Sequence, residues 1–258
     1  MNHFFDSAAS LMRSHFIEEI QRELPVLSED TAHVLTIHLN NFHPFINDLY
    51  QLLSTEERQR ANEYFFLKDK NRYIIARGML KIMLSAYLNI APDYVQFVYS
   101  QYGKPYLPHF PFLQFNISHS EDMVIFAFNY KRLIGIDIEY TQKKIDIMSI
   151  SQQFFSKREY HSLKSINSED QKQAFFNAWV AKEAFIKALG LGLSFDLADI
   201  EVDCFSQDLF NIMAIHHSTE IVEDWCLYPI NSCPDYVAAM AIKGALQKLF
   251  IKNIVPFT

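Results

Sequence analysis

Apolar and polar positions along the chain set out an ordered series of helices and strands. Residues 1–24 carry Phe4, Phe5, Leu11, Met12, Phe16, Ile17 and Ile20 at the spacing of an amphipathic helix. Val34 to Asn40 alternates Val34, Thr36 and His38 against Leu35, Ile37 and Leu39, which predicts a strand. Ser54 followed by Glu57 predicts a capped helix start, with the helix running to Tyr64. Asp69 to Leu88 has the apolar period of a long helix, ended before Pro92, and Val95 to Tyr99 predicts a strand. Three strands follow in the middle of the chain, at Leu113–Ser118, Met123–Phe128 and Leu133–Glu139. Helices resume at Ile147–Phe155, Lys157–Leu163 and Asp170–Leu189, the last capped by Gly190. Strands at Asp199–Cys204, Trp225–Pro229 and Tyr236–Ile242 close the series.

Helix then strands occurs twice, with a seam near residues 118–130. Grouped strands without strict βαβ alternation predict an α+β fold. The expected organisation is a helical extension over 1–33, an N-terminal lobe over 34–122 and a C-terminal lobe over 123–258.

Composition narrows the class. Half of the 258 residues are hydrophobic, which excludes a disordered chain. The longest apolar runs, such as Met123 to Phe128, are too short to span a bilayer, and no secretory leader is visible, so no membrane partner is expected. Thirty acidic against 23 basic residues give a net charge of −7, the wrong sign for a general nucleic-acid binder. Any anionic ligand must therefore meet a local basic cluster. Cys204, Cys226 and Cys233 form no CxxC pair, so the expected compartment is reducing, the cytoplasm.

Four constellations carry candidate chemistry. Asp137 and Glu139, following Gly135, share one face of a strand while Ile136 and Ile138 turn to the core. On spacing alone an exposed acidic strand end is the simpler reading; a Mg²⁺ site is the sharper one, because adjacent carboxylates repel until a cation relieves them. Glu183 and Lys187 stand four apart on a helix with Trp179 and Ile186, an ordinary ion pair or else a metal ligand and a phosphate contact. Asn116-Ile117-Ser118-His119-Ser120 ends a strand with hydroxyl, imidazole and backbone donors for an anion, without the glycines of a nucleophile elbow. Tyr102-Gly103-Lys104-Pro105 is a stiff turn that presents Lys104 outward.

Taken in order, YGKPYLP (102–108), FNISHS (115–120), IGIDIE (134–139), FFSKREY (154–160) and WVAKEAFIKALGLGLS (179–194) strongly resemble the 4′-phosphopantetheinyl transferases of the Sfp type. LSTEERQRANEYFFLKDKNRYIIARGMLK (53–81) resembles that family's N-terminal half, and the likeness covers roughly residues 34–243. The resemblance implies a pseudo-twofold pair of similar lobes, each an antiparallel sheet packed on a long helix, with coenzyme A in the cleft between them. It implies Mg²⁺-dependent transfer of 4′-phosphopantetheine from coenzyme A to a serine of an apo acyl or peptidyl carrier protein, releasing adenosine 3′,5′-bisphosphate. Asp137, Glu139 and Glu183 match the metal carboxylates, and Glu183 is the first choice of base for the carrier serine. Lys187 matches the lysine at the pyrophosphate, with Lys182 beside it in the same motif. Lys104, Ser118 and His119 match residues at the adenosine 3′-phosphate, and Arg77 another phosphate contact. Arg60 stands where some relatives place a phosphate-binding lysine, while Glu57 departs from a nearby lysine position. Glu159 matches a glutamate assigned acid/base duty. The resemblance further implies a self-sufficient monomer that docks acidic carriers through an apolar or basic patch. Its competitor is an inactive coenzyme A-binding protein of the same fold.

Overall fold

The computed structural model describes residues 14, 16–205, 210–231 and 233–256. The described residues fall into two compact units, one drawn from within 1–27, 37–97 and 254–258, the other from within 28–36 and 98–253.

In the first unit, residues 16–23 are helical and bury Phe16 and Ile20; the expected positions Phe4, Phe5, Leu11 and Met12 lie outside the described residues. Helices α1 (Leu39–Phe42), α2 (Ile46–Gln51), α3 (Thr55–Glu63) and α4 (Leu67–Leu88) follow. The predicted capping box forms at α3: Ser54 Oγ accepts from the Glu57 N–H, and Glu57 Oε2 accepts from the Ser54 N–H at 2.8 Å. Helix α4 packs on α1, α2 and α3 and buries every residue from Ile74 to Ala86.

The second unit carries the sheets. Strands β1 (Thr31–His38), β4 (Leu113–Ser120), β5 (Met123–Tyr130) and β11 (Lys248–Asn253) form a four-stranded sheet in the order β11-β1-β5-β4. Strands β6 (Ile134–Tyr140), β9 (Trp225–Ile230) and β10 (Tyr236–Lys243) form an antiparallel sheet in the order β6-β10-β9. Two small antiparallel pairs complete it: β2 (Val98–Tyr99) with β3 (Pro105–Tyr106), and β7 (Ile200–Asp203) with β8 (Asn211–Ile215). Helices α5 (Ile147–Phe154), α6 (Lys157–Ser165) and α7 (Ser168–Leu189) belong to this unit.

Period-2 patterning separates two apolar layers. Ile134, Ile136 and Ile138 of β6 join Ala238, Met240 and Ile242 of β10 against Val34, Ile125 and Ala127 of the other sheet. On the opposite side, Ala239 and Ala241 of β10 meet Ala181, Ala184, Phe185 and Ala188 of α7. The small side chains let the helix lie close to the strands.

The α+β class and the antiparallel sheets are as expected, and β1 pairs with β11 in parallel. The units divide the chain elsewhere than at 122/123. Strands β4 and β5 flank that point and pair continuously from Leu113↔Tyr130 to Ser120↔Met123.

Candidate functional site

Gly135 sets the geometry. A Cβ at this position would lie 2.1 Å from the Ala184 carbonyl oxygen and 2.3 Å from the Ala188 nitrogen, so β6 and α7 meet backbone to backbone. Asp137 and Glu139 follow at the same face of β6. Glu183 and Lys187 each precede one of the two contacted helix residues. Lys187 Nζ accordingly lies 2.5 Å from Asp137 Oδ1 and 2.8 Å from Ser118 Oγ.

Strand β4 reaches the same face with alternate side chains. Asn116 Oδ1 accepts from the Ile136 N–H at 2.9 Å, and the Ser118 hydroxyl donates to Asp137 Oδ1 at 2.8 Å. The Ser120 hydroxyl donates to Glu139 Oε2 at 2.7 Å and accepts from the Tyr140 N–H at 3.0 Å. Lys143 Nζ lies 2.5 Å from the same Glu139 oxygen.

Burial makes these charges costly. The Asp137 carboxyl is pushed above its ordinary range by desolvation, against the opposing pull of Lys187 and Ser118. Glu183 is also raised, first by burial and then by the negative charge of Asp137, with Glu139 adding and Lys187 opposing. Asp137 Oδ2 is buried and makes no hydrogen bond. A hard divalent cation answers that combination: oxygen donors, an unpartnered buried carboxylate oxygen and mutual repulsion among three acids. Among the described residues no three His, Cys, Asp or Glu side chains are gathered as a ready metal cage. Mg²⁺ does not require one, since one or two protein carboxylates suffice.

Other expected site residues are placed differently. Lys182 is fully buried, with Nζ 2.7 Å from Glu159 Oε2 and 2.9 Å from the Leu197 carbonyl oxygen, and bonded also to the Ile200 carbonyl. Glu159 completes a capping box with Ser156 at the start of α6 and accepts from the Val202 N–H at 2.8 Å. The two residues form an internal ion pair and are not brought to Asp137. Lys104 is not presented outward: its ammonium bonds the Ile134 and Ala188 carbonyl oxygens at 3.1 and 2.8 Å, and burial lowers its pKa to about 8. It ties the end of α7 to the start of β6 and borders a cavity of about 120 Å³ with Tyr106, Phe115 and Leu133. His119 points to the exposed side of β4.

In the first unit Arg60 is exposed, its guanidinium 5.7 Å from the Tyr73 ring centre. Arg77 is buried, 3.6 Å from Glu57 Oε1 and over the Phe97 ring at 4.6 Å. Glu57, a departure in sequence, is enclosed between Arg77 and Lys81, the latter at 3.1 Å. Lys143 was not among the expected site residues; its signal was the four-residue step after Glu139. The polar period Asn116-x-Ser118-x-Ser120 was the signal for the row on β4.

Comparison with known proteins agrees with the motifs. Residues 133–241 match the family model described as the 4′-phosphopantetheinyl transferase superfamily, and residues 43–131 the one described as 4′-phosphopantetheinyl transferase, N-terminal. The chain is 34% identical over 221 residues to the 4′-phosphopantetheinyl transferase HetI of Nostoc sp., covering 84% of this chain and 90% of that protein. It is 36% identical over 150 residues to the 4′-phosphopantetheinyl transferase Sfp of Bacillus subtilis, covering 58% and 66%. Among solved structures, a holo-(acyl-carrier-protein) synthase of Bacillus anthracis in complex with CoA is 23% identical over 44% of this chain and 97% of that one, with a TM-score of 0.35. The two family matches together span most of the sequence, and the chain belongs to the 4′-phosphopantetheinyl transferase superfamily.

Proposed function

We propose that the protein transfers the 4′-phosphopantetheine group of coenzyme A to a serine of an apo acyl or peptidyl carrier protein, with Mg²⁺ held by Asp137 and Glu139 and approached by Glu183. Family membership supports the reaction class, and one observation supports the site: the Gly135 contact of β6 with α7, which sets Lys187 within hydrogen-bonding distance of Asp137.

The carrier hydroxyl attacks the phosphorus bearing the pantetheine arm, and adenosine 3′,5′-bisphosphate leaves. Mg²⁺ bound at these carboxylates supplies charge neutralisation at the pyrophosphate oxygens. Lys187, partly exposed beside Asp137, donates to the same phosphate oxygens. Glu183 takes the serine proton on its carboxylate, and its raised pKa brings it closer to the basicity a general base needs near neutrality. Asp137, held by Ser118 and Lys187, stays oriented through the step. Arg60, Arg77, Lys104, Ser118 and His119 enter as coenzyme A contacts on the strength of the family motifs; for Lys104 that duty requires giving up carbonyl partners. Glu159 and Lys182 support the start of α6 and the middle of α7. Among the described residues no helix is long and apolar enough to cross a membrane. A monomer acting in the cytoplasm fits this reading, because one chain carries both family segments and its three cysteines are free.

The test is the intact mass of apo carrier proteins after incubation with coenzyme A, Mg²⁺ and this protein. A phosphopantetheine adduct that disappears with EDTA and with Asp137→Ala is the expected result. No adduct on any carrier, with coenzyme A still bound, would replace transfer by the inactive-binder reading.

A further inference from the structure

Strand β4 pairs with β5 and strand β6 with β10, so their own ladders do not join them. Polar side chains bridge the gap instead. Asn116, Ser118 and Ser120 stand two apart on β4, and each ends on β6. The two carboxylates are held alike. Asp137 receives Ser118 and Lys187 on Oδ1, and Glu139 receives Ser120 and Lys143 on Oε2. In each case one oxygen is fully engaged, and the bonds just named leave the other, Asp137 Oδ2 or Glu139 Oε1, outside the clamp.

Of the two serines that hold these carboxylates, Ser120 is the one without an assigned role, 3% exposed at the end of β4. A serine hydroxyl has one proton to give. Because the Tyr140 N–H occupies a lone pair of the Ser120 oxygen, that proton is directed at Glu139 Oε2. Glutamate otherwise rotates about three side-chain bonds, and a ligand that must be ordered at the moment of binding costs affinity.

We infer that Ser120 is a positioning residue for the divalent-cation site: it pins Glu139 by Oε2 so that Oε1 is presented beside Asp137 Oδ2. This rests on the Mg²⁺ reading above. Groups that orient metal ligands typically contribute about 10–100-fold in metal affinity.

The experiment titrates Mn²⁺, which takes the same oxygen ligands, into the full chain without coenzyme A, and follows binding calorimetrically. Ser120→Ala should weaken Mn²⁺ by about 10-fold or more. Ser120→Thr, which keeps the hydroxyl, should bind close to wild type. Thermal unfolding reports whether each variant is folded; should Ser120→Ala not fold, Ser120→Cys keeps the bulk with a weaker donor and should fall between. Wild-type Mn²⁺ affinity in a folded Ala or Cys variant overturns the inference. So does Thr binding as weakly as Ala, which would mark a packing role. Asp137→Asn separates the two readings. If it abolishes Mn²⁺ binding while Ser120→Ala leaves it intact, only the positioning role fails. If wild type binds no Mn²⁺, the metal reading fails and the inference with it.

Discussion

Lys182 and Glu183 are neighbours in the chain with opposite surroundings. One helical step of about 100° turns Lys182 into the core, while Glu183 faces the carboxylates of β6. Lys182 is 0% exposed and its charge is disfavoured by burial, with Glu159 opposing that shift. Removing one partner of such a pair leaves the other buried and unbalanced, at a cost of about 3–5 kcal/mol. Lys182→Met should therefore lower unfolding free energy by about 3 kcal/mol in urea titration. A change under about 0.5 kcal/mol would contradict the buried ion pair. Lys104 makes a pH-dependent prediction. Its folded pKa of about 8 lies below the ordinary 10.5, so the unfolded chain binds more protons between those values. Stability relative to Lys104→Met should rise with pH from 8 to 10.5, by at most about 1.4 kcal/mol per unit. A flat difference across that window would place the ammonium in water.

At the scale of elements, the contact of β6 with α7 decides the site. Gly135→Ala would drive a methyl into the Ala184 carbonyl oxygen and the Ala188 nitrogen, backbone atoms that no rotamer change can move aside. The expected cost is about 3 kcal/mol, together with loss of transfer, because separating the elements pulls Lys187 from Asp137. A Gly135→Ala protein with wild-type stability and turnover would refute the contact. This part of the molecule was legible in sequence for a local reason. The alternation Ile134-x-Ile136-x-Ile138 and the four-residue step Glu183 to Lys187 encode their faces within a few residues. Strand β11 was not legible, since it forms by parallel pairing with β1, and Thr31↔Lys248 joins residues from opposite ends of the chain. Strand β8 and the short helices α1 and α2 also lacked a local signal. His38 ends β1 by accepting the Asn40 N–H and starting α1, where alternation alone extended the strand to Asn40. Lys104 departs from the outward position that a Gly-Lys-Pro turn predicts, because Ala188 and Ile134 supply carbonyl oxygens from distant segments.

For the whole molecule, the net charge of −7 and the carboxylate cluster give two sources of attraction for a cation, and they predict different behaviour. A diffuse field concentrates any divalent ion weakly and is screened within about 8–10 Å at ordinary ionic strength. A cation held by these carboxylates would bind only the folded state, because Glu183 comes within electrostatic reach of Asp137 and Glu139 only when α7 lies on β6. Burial and like charge disfavour the ionised forms of Asp137 and Glu183, so a cation there would relieve strain that the unfolded chain does not have. Binding of that kind stabilises by RT ln(1 + [Mg²⁺]/Kd), about 2.7 kcal/mol at a hundredfold excess over Kd. At roughly 2–4 °C per kcal/mol for a chain of this size, saturating Mg²⁺ should raise Tm by several degrees, and EDTA should reverse it. Asp137→Asn changes the molecular charge by one unit among many, yet it removes the oxygen the cation would take. The Mg²⁺-induced rise should therefore saturate in wild type, persist in moderate salt and vanish in Asp137→Asn. A rise that survives the substitution, or that salt abolishes in both proteins, would assign the effect to the overall field and leave the carboxylates without a metal.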